Sequence, residues 1–578
     1  MKKTGAWLAV HALEQLGVRF TFGIPGVHNT ELYDELNNST LITPVLVTHE
    51  GGGAFMADAV SRTGGGQVGT LVVVPAAGLT HAASGIGEAF LDGIPMLVIC
   101  GGIRTDLDKR YQLHEIDQHA FMRGLTKASF HIRRHEDIVP TLYEAHRIAT
   151  SGEPGPVFVE LPVNLQLFPA EVGVLPALPV APAPAVPPPA AVTRAAELLL
   201  AGKRPGLFLG WGARGATEQT RAIADFLQSP VATTLQGLAV FDARHPLHVG
   251  FGFGAAAVPA AQQAFEGCDA MLAVGTRFAE IATGSYGVTV PAALVHVDIN
   301  PAVFDANYPA AQAIEGDART VLIALLAELK RLGTPRAVDT VLRQRIAAAK
   351  AAYLAQWLKH DTQGRVSPAR FFQALRAALP DDCITVVDDG NHTYLTAELF
   401  PVHAPGDLIV PTDFNAMGYA VPAAIGAKLA NPAREVVAIV GDGAFTMTCM
   451  ETVSATRLGL GLVLFVFHDG ELSQIAQAQE IPYNRKPCTV LGGLDVSGVA
   501  IATGAEFVSI ANDADIVPGI EQARRVAAQG RPVIVDVAVD YSKRTAFTQG
   551  AVKTNFKRFP LAQRARMIGR AIKRRITG

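Results

Sequence analysis

The sequence predicts an α/β protein of three domains, each a mainly parallel sheet flanked by helices. Three observations carry that expectation. Short apolar runs alternate with helical stretches along the 578 residues, the order of βαβ units rather than hairpins. The runs are continuous rather than alternating, as in strands covered on both faces. A proline- and alanine-rich segment, PAEVGVLPALPVAPAPAVPPPAAV, interrupts the pattern after Phe168, and such composition favours extended polyproline II over a core element. The predicted limits are 1–170 for the first domain, 171–190 for a semi-rigid linker, 191–345 for the middle domain, 360–550 for the last and 551–578 for a terminal tail.

In chain order, Trp7, Leu8, Ala12 and Leu16 have helical spacing, and Glu14 and Gln15 break the apolar stretch behind Lys2 and Lys3. The start is therefore expected to be an amphipathic helix rather than a leader peptide. Residues 70–74 and 96–100 read as strands of the first domain, and 206–209, 270–274 and 294–297 as strands of the second. Directly after the first of these, Gly210, Gly212 and Gly215 stand as GxGxxG. No ribose-binding acid follows ~20 residues later, so the dinucleotide fingerprint is incomplete. A helical stretch through 325–332 leads to a second, weaker boundary near 350–368, and 384–387 opens the last domain as a strand.

Composition limits the function classes. Hydrophobic residues make up 49% and charged residues 17%, with a formal net charge of −3, so nothing points to nucleic acid as a partner. Five scattered cysteines, mostly within apolar runs, read as reduced core residues rather than as a disulfide or zinc framework. No run of ~18 uncharged apolar residues exists, so a soluble cytoplasmic enzyme without a membrane partner is expected.

The most informative stretch runs from Glu435 to Leu472. Asp442 follows the apolar run 436–440, Asp469 follows 462–467, and the intervening 445–460 has the length of a crossover helix. In a βαβ unit both acids emerge at the carboxyl edge of neighbouring strands, where open α/β sheets bind ligands. Gly441 and Gly443 leave the backbone bare beside a helix start, a setting for an anion such as phosphate. Two carboxylates would repel a phosphate unless a hard cation lay between them, and Mg²⁺ takes one or two carboxylates plus phosphate oxygens. A lone GDG triplet also reads as a solvated turn. The second acid at the next strand end favours the cation site.

These residues resemble the thiamine diphosphate (ThDP) signature, GDG followed after a helix and a strand by an Asn or Asp about 27 residues beyond the first Asp. The resemblance extends over nearly the whole chain, most closely to the acetolactate synthase branch. It names the three domains pyrimidine-binding, central and diphosphate-binding. It implies that Asp442, Asp469 and the carbonyl of Glu471 hold Mg²⁺, with Gly441, Gly443 and Ala444 beside the cofactor. DDGNHTYL puts Gly390, Asn391 and His392 in the family's diphosphate loop. In FNAMGYAVPAAIGAKLA, Met417 takes the place of the apolar residue that bends the cofactor, with the Asn415 carbonyl at its aminopyrimidine. A methionine in an apolar stretch is otherwise core packing. His468 departs from the family's usual first Asn. GTRF at 275–278 and VDIN at 297–300 resemble central domains that carry FAD, ADP or nothing.

The chemistry needs a carboxylic acid beside the cofactor's N1′ atom, held in a dry pocket. Glu50, in THEGGGAFMADAVSRTGG, is the candidate by resemblance to the family's glutamate motif; otherwise it is a solvated acid at a helix start. His28, beside the turn of FGIPGVHNTELYDEL, matches a proton-relaying histidine of benzaldehyde lyases. His114, in QLHEIDQ, stands where acetolactate synthases have a substrate-facing glutamine. Either could donate protons near neutral pH.

The resemblance implies decarboxylation of a 2-oxo acid such as pyruvate, followed by protonation or addition to a second carbonyl. It also implies a homodimer or homotetramer whose sites draw Glu50 and the GDG motif from different subunits. Two other readings stay open: a 2-hydroxyacyl-CoA or benzaldehyde lyase, and a catalytically silent FAD- or nucleotide-binding relative. From Lys553 onward the tail holds nine lysines and arginines and no acid. It is a solvated helix, a cover for the active site, or a partner for coenzyme A phosphates.

Overall fold

The computed structural model describes residues 1–180, 182–403 and 406–577. Ala181 of the linker, Ala404 and Pro405 of the last domain, and Gly578 of the tail lie outside them.

Each third of the chain forms a six-stranded, all-parallel sheet. In the N-terminal sheet the spatial order is Thr43–Leu46, Phe20–Gly23, Gly69–Val73, Met96–Gly102, Pro156–Pro162, Ala128–His131. The C-terminal sheet repeats this order: Leu408–Ile409, Ile384–Val387, Val436–Gly441, Val463–Phe467, Val533–Val537, Glu506–Ile510. In the central sheet the chain winds outward both ways from Pro205–Leu209 and Ala270–Val274. Every sheet therefore has one gap at its carboxyl edge where the winding reverses, and open parallel sheets take ligands there.

The strands that the sequence predicts are present, with ends shifted by a residue or two. One expectation is corrected. The crossover after Gly441 is not a continuous helix over 445–460 but helix Asp442–Thr448, a 3₁₀ turn Cys449–Glu451 and helix Thr452–Arg457. Side chains account for the break. Thr448 Oγ1 donates to the Gly418 carbonyl at 2.9 Å. Glu451 turns inward to accept the Thr48 amide at 3.1 Å and the Thr48 hydroxyl at 2.5 Å from the N-terminal domain. Those partners outweigh one more helical turn, in a stretch whose threonines have poor helix propensity.

Lys2–Thr4 forms a short antiparallel pair with Pro169–Glu171 ahead of the first helix, Gly5–Gln15. The linker runs from there to Pro189, where helix Pro189–Ala201 begins, and Val174, Val180 and Val186 point into solvent. The central and C-terminal domains are joined through helix Thr340–Leu358. No helix among the described residues is long and apolar enough to cross a membrane.

The N- and C-terminal domains share one apolar core. Helix Glu50–Thr63 lies against helix Ala420–Ala430 so closely that a Cβ at Gly426 would fall 2.3 Å from the Met56 carbonyl oxygen. A buried charged cluster crosses the same interface. Arg62 pairs with Asp58 at 2.7 Å and Asp92 at 2.8 Å, and Tyr419 donates to Asp58 at 2.6 Å.

Candidate active site

At the reversal point of the C-terminal sheet a cleft opens between the ends of Ile384–Val387 and Val436–Gly441. Its walls include Gly390, Asn391, His392, Asn415, Met417, Gly441, Asp442, Gly443, Ala444, Asp469 and Glu471. All eleven residues assigned from sequence to the cofactor or its metal thus meet in one place.

Asp442 starts its helix as a buried residue and accepts amides from Gly443 at 2.8 Å and Gly470 at 2.7 Å. The Asp469 amide reaches it at 3.3 Å, which ties the two strand ends together. Asp469 accepts the Ser473 hydroxyl. Burial, and then the charge of Asp442, push the Asp469 carboxyl up to about 6. Burial likewise raises Asp442. Two largely buried acids side by side are the donor set that a hard divalent ion completes. His468, the departure from the family pattern, sits 3.1 Å from Asp536 and 3.9 Å from Asp442. The Glu471 side chain is engaged by Lys486 at 2.7 Å, so its carbonyl is the atom left for a ligand role.

The glycines clear the opposite wall. A Cβ on Gly390 would lie 2.6 Å from the His392 ring and one on Gly441 3.0 Å from it. His392 is buried, and burial lowers its imidazole to about 3, so it is neutral. Five cleft residues, Asp389, Asn391, His392, Gln474 and Tyr541, each carry a buried polar atom without a hydrogen-bond partner in the protein. Buried orphans are rare in folded proteins, and these five are groups that a polar ligand would satisfy. Bare backbone, an acid pair and these atoms fit a Mg²⁺-bound diphosphate.

Sequence reasoning passed over Asp388, which organises the cleft. It accepts amides from Gly418 at 2.9 Å and Ala420 at 2.7 Å. The loop of Asn415, whose φ is +61°, and Met417 is thereby fixed to the end of Ile384–Val387. Its signal was available, since an acid directly after an apolar run is the pattern that revealed Asp442. Glu88 had no such signal. It reaches from the N-terminal domain to accept the Thr412 amide at 3.2 Å and the Ala416 amide at 3.0 Å.

Glu50, His28 and His114 are not part of this cleft within one chain. They belong to the N-terminal domain and follow strands of its sheet. Glu50 is buried at the start of its helix, 3.1 Å from His81 Nδ1, and the His81 ring stacks on His49 with centroids 4.7 Å apart. A Cβ on Gly78 would lie 3.1 Å from the Glu50 carboxylate, so that glycine leaves room for it. His28 and His114, 86 residues apart, bring their Nδ1 atoms to 3.3 Å. Burial, and secondarily the neighbouring His114, lower the His28 imidazole. The candidate residues therefore fall into two groups, each at the carboxyl edge of its own sheet.

A second cleft lies at the reversal point of the central sheet, bordered by Trp211, Gly212, Gly275, Arg277 and Asp298. Gly210 and Gly212 serve close chain approach: a Cβ on them would meet Gly275 at 2.0 and 2.7 Å. Gly215 faces open space. The tail forms helices Ala546–Arg558 and Leu561–Thr577, the second lying against helix Ser473–Tyr483, whose first residues line the cofactor cleft.

Comparison with known proteins agrees in all three thirds. Residues 3–121 match the thiamine pyrophosphate enzyme N-terminal TPP binding domain, 192–325 the central domain, and 388–537 the C-terminal TPP binding domain. The chain is 31% identical over 552 residues to a probable acetolactate synthase large subunit of Methanocaldococcus jannaschii, covering 93% of this chain and 92% of that protein. It is 29% identical over 553 residues to the acetolactate synthase isozyme 1 large subunit of Escherichia coli, covering 93% and 94%. An acetolactate synthase of Mycobacterium bovis is 32% identical over 549 residues, covering 93% and 88%.

Proposed function

The chain belongs to the thiamine pyrophosphate enzymes, on their acetolactate synthase-like branch, and on that premise we propose that it is a Mg²⁺-dependent carboligase of 2-oxo acids such as pyruvate. The observation that carries the proposal is the convergence of Asp442, Asp469, the bare glycines, Asn415 and Met417 on one cleft.

When bound, ThDP supplies the carbon nucleophile and electron sink that cleavage and formation of C–C bonds next to a carbonyl require. The chain's own residues do the rest. Asp442, Asp469 and the Glu471 carbonyl would hold Mg²⁺. Gly390, Gly441 and Gly443 would leave room for the diphosphate beside Asn391 and His392, which line the same cleft. The Asn415 carbonyl and the Met417 side chain would position the aminopyrimidine. Glu50, buried at the start of its helix, would present its carboxyl group to the pyrimidine ring. His28 and His114, in contact, move protons at the substrate carbonyl. Since Glu50 and the cleft lie apart in one chain, the complete site forms between two copies, as a homodimer or a homotetramer.

The His28–His114 contact also favours a second reading, lyase cleavage of a 2-hydroxyacyl thioester or a benzoin, in which a proton is removed from a hydroxyl group. Incubation of the purified protein with ThDP, Mg²⁺ and a panel of 2-oxo acids, aldehydes and 2-hydroxyacyl thioesters separates the two. Acetolactate and CO₂ from pyruvate are expected. Aldehyde release from the thioester, without turnover of any 2-oxo acid, selects the lyase, and no product in any arm selects the silent relative. The central cleft is proposed as a nucleotide site that takes FAD, ADP or nothing, and flavin absorbance of the purified protein tests for FAD.

A further inference from the structure

We propose that His119, His131 and Glu160 form a divalent transition-metal site, suited to Zn²⁺, on the outer edge of the N-terminal sheet and separate from the cofactor cleft. His131 and Glu160 are register partners in the adjacent parallel strands Ala128–His131 and Pro156–Pro162, so their side chains leave the same face of the sheet. His119, on the short helix Gln118–Met122, is laid over both. One ligand atom from each of the three residues lies within 4.8 Å of the others.

Three details favour an ion over a plain ion pair. His119 Nε2 is 3.0 Å from Glu160 Oε2, yet off the line a hydrogen bond needs, so this buried ring nitrogen has no hydrogen-bond partner. Its other nitrogen, Nδ1, contacts the Ser129 hydroxyl. With the Nδ1 proton on Ser129, the Nε2 lone pair is free, the usual arrangement behind a metal-bound histidine. Third, the imidazole of His131 lies beside that of His119, with centroids 5.6 Å apart, close to the roughly 5 Å of two rings on one tetrahedral Zn²⁺. The rings are stacked, at 5°, and their in-plane lone pairs meet at one ion only when both ring planes contain it, so binding needs a turn of one ring. His131 is exposed and free to supply it, while Phe158 packs edge-on against the His119 ring at 5.2 Å and holds it.

The chemistry of the donors selects the ion. Two imidazoles and a carboxylate suit Zn²⁺ and its transition-metal neighbours rather than Mg²⁺ or Ca²⁺. Glu160 is 7% exposed, a dry setting for the anionic ligand. The nearby Cys100 thiol is engaged elsewhere, donating to Gln118 Oε1 at 3.1 Å. Three protein ligands leave a coordination position for water or a small anion.

The test uses the full-length protein, stripped with a mild chelator, reloaded with ThDP and Mg²⁺, and titrated with Co²⁺ under visible spectroscopy. One Co²⁺ per chain is expected, with the d–d bands of a four- or five-coordinate nitrogen–oxygen site. Ser129→Ala is expected to weaken binding about 10–100-fold, and His131→Ala by more than about 100-fold because a ligand itself is lost. His131 is exposed, so its replacement leaves the fold intact, which ThDP binding by the variant verifies. Asp469→Asn keeps the Co²⁺ site, because that residue belongs to the other cleft. Absence of a saturable Co²⁺ signal in the wild type, or wild-type affinity in His131→Ala, overturns the proposal.

Discussion

The carboxylate of Asp388 accepts the Gly418 amide at 2.9 Å, joining the two loops that make up the cofactor cleft. One loop, from Asp388 to His392, continues the strand Ile384–Val387. The other carries Asn415 and Met417, whose backbone places one residue in the left-handed region. Such a turn keeps its shape only when its amides have partners, and the acid supplies them at Gly418 and Ala420.

Asp388→Asn keeps the volume and one acceptor oxygen but turns a donor toward one of those two amides. It should lower stability by about 1–3 kcal/mol. ThDP affinity should fall about tenfold, since a shift of 1.4 kcal/mol in holding the loop is one decade. Urea unfolding and ThDP titration measure the two, and unchanged values for both would show that the loop holds itself.

Asp442→Ala is predicted to abolish retention of ThDP on gel filtration, and chelation of Mg²⁺ should release ThDP from the wild type. Burial raises both carboxyls of the pair, and the Asp442 charge raises Asp469 further, so a cation is what would allow both to ionise beside a diphosphate. Retention of ThDP in the absence of any divalent ion contradicts the bridge.

Glu50→Gln removes the acid and nothing else from the N-terminal group of candidate residues. Exchange of the cofactor's C2 proton should slow by about 10²–10⁴-fold, with ThDP binding close to wild type. Hydrogen exchange followed by NMR is the measurement, and a wild-type rate sinks the assignment of Glu50.

Arg62→Met strips the cation that pairs with both acids from a cluster in which the Asp58, Asp92 and Arg62 side chains are fully buried. Uncompensated acids in the interface between the N- and C-terminal domains should destabilise the protein by about 3–5 kcal/mol. Chemical denaturation reads this. A change within experimental scatter means the acids are already neutral without Arg62.

Glu398 accepts the Phe547 amide at 2.8 Å and the Ala546 amide at 3.0 Å, capping helix Ala546–Arg558. Burial pushes its carboxyl up to about 7 from an ordinary 4.5. The folded state therefore binds a proton that the unfolded chain has released over that window. The corresponding stability is full below pH 4.5 and is lost as the pH rises through about 7. Tm should fall across this range in the wild type and fall less in Glu398→Gln, by up to about one proton's worth of slope.

Much of the site was legible before folding because strand-end chemistry is local. An apolar run followed by an acid and glycines marks both the strand and the position of the acid at the sheet's carboxyl edge, and this pattern revealed Asp442 and Asp469. Gly390, Asn391 and His392 were legible by resemblance on the same kind of strand end. The crossover was misjudged because its break comes from Thr448 and Glu451 bonding to residues 30 and 403 positions away. No local propensity encodes such partners.

The sequence by itself determined the parallel α/β class, the cofactor family and the residues on each strand end, since continuous apolar runs and short motifs depend only on neighbouring residues. Tertiary structure alone decided that Glu50 and the Asp442 cleft stand apart in one chain, that His28 meets His114, that Asp388 and Glu88 hold the Asn415–Met417 loop, and that His119 lies over Glu160. Each of these is a contact between side chains far apart in sequence. Such contacts exist only after the sheets have wound and the shared core of the first and last domains has closed, because burial then fixes the distances and removes the water that would otherwise compete for every one of these groups.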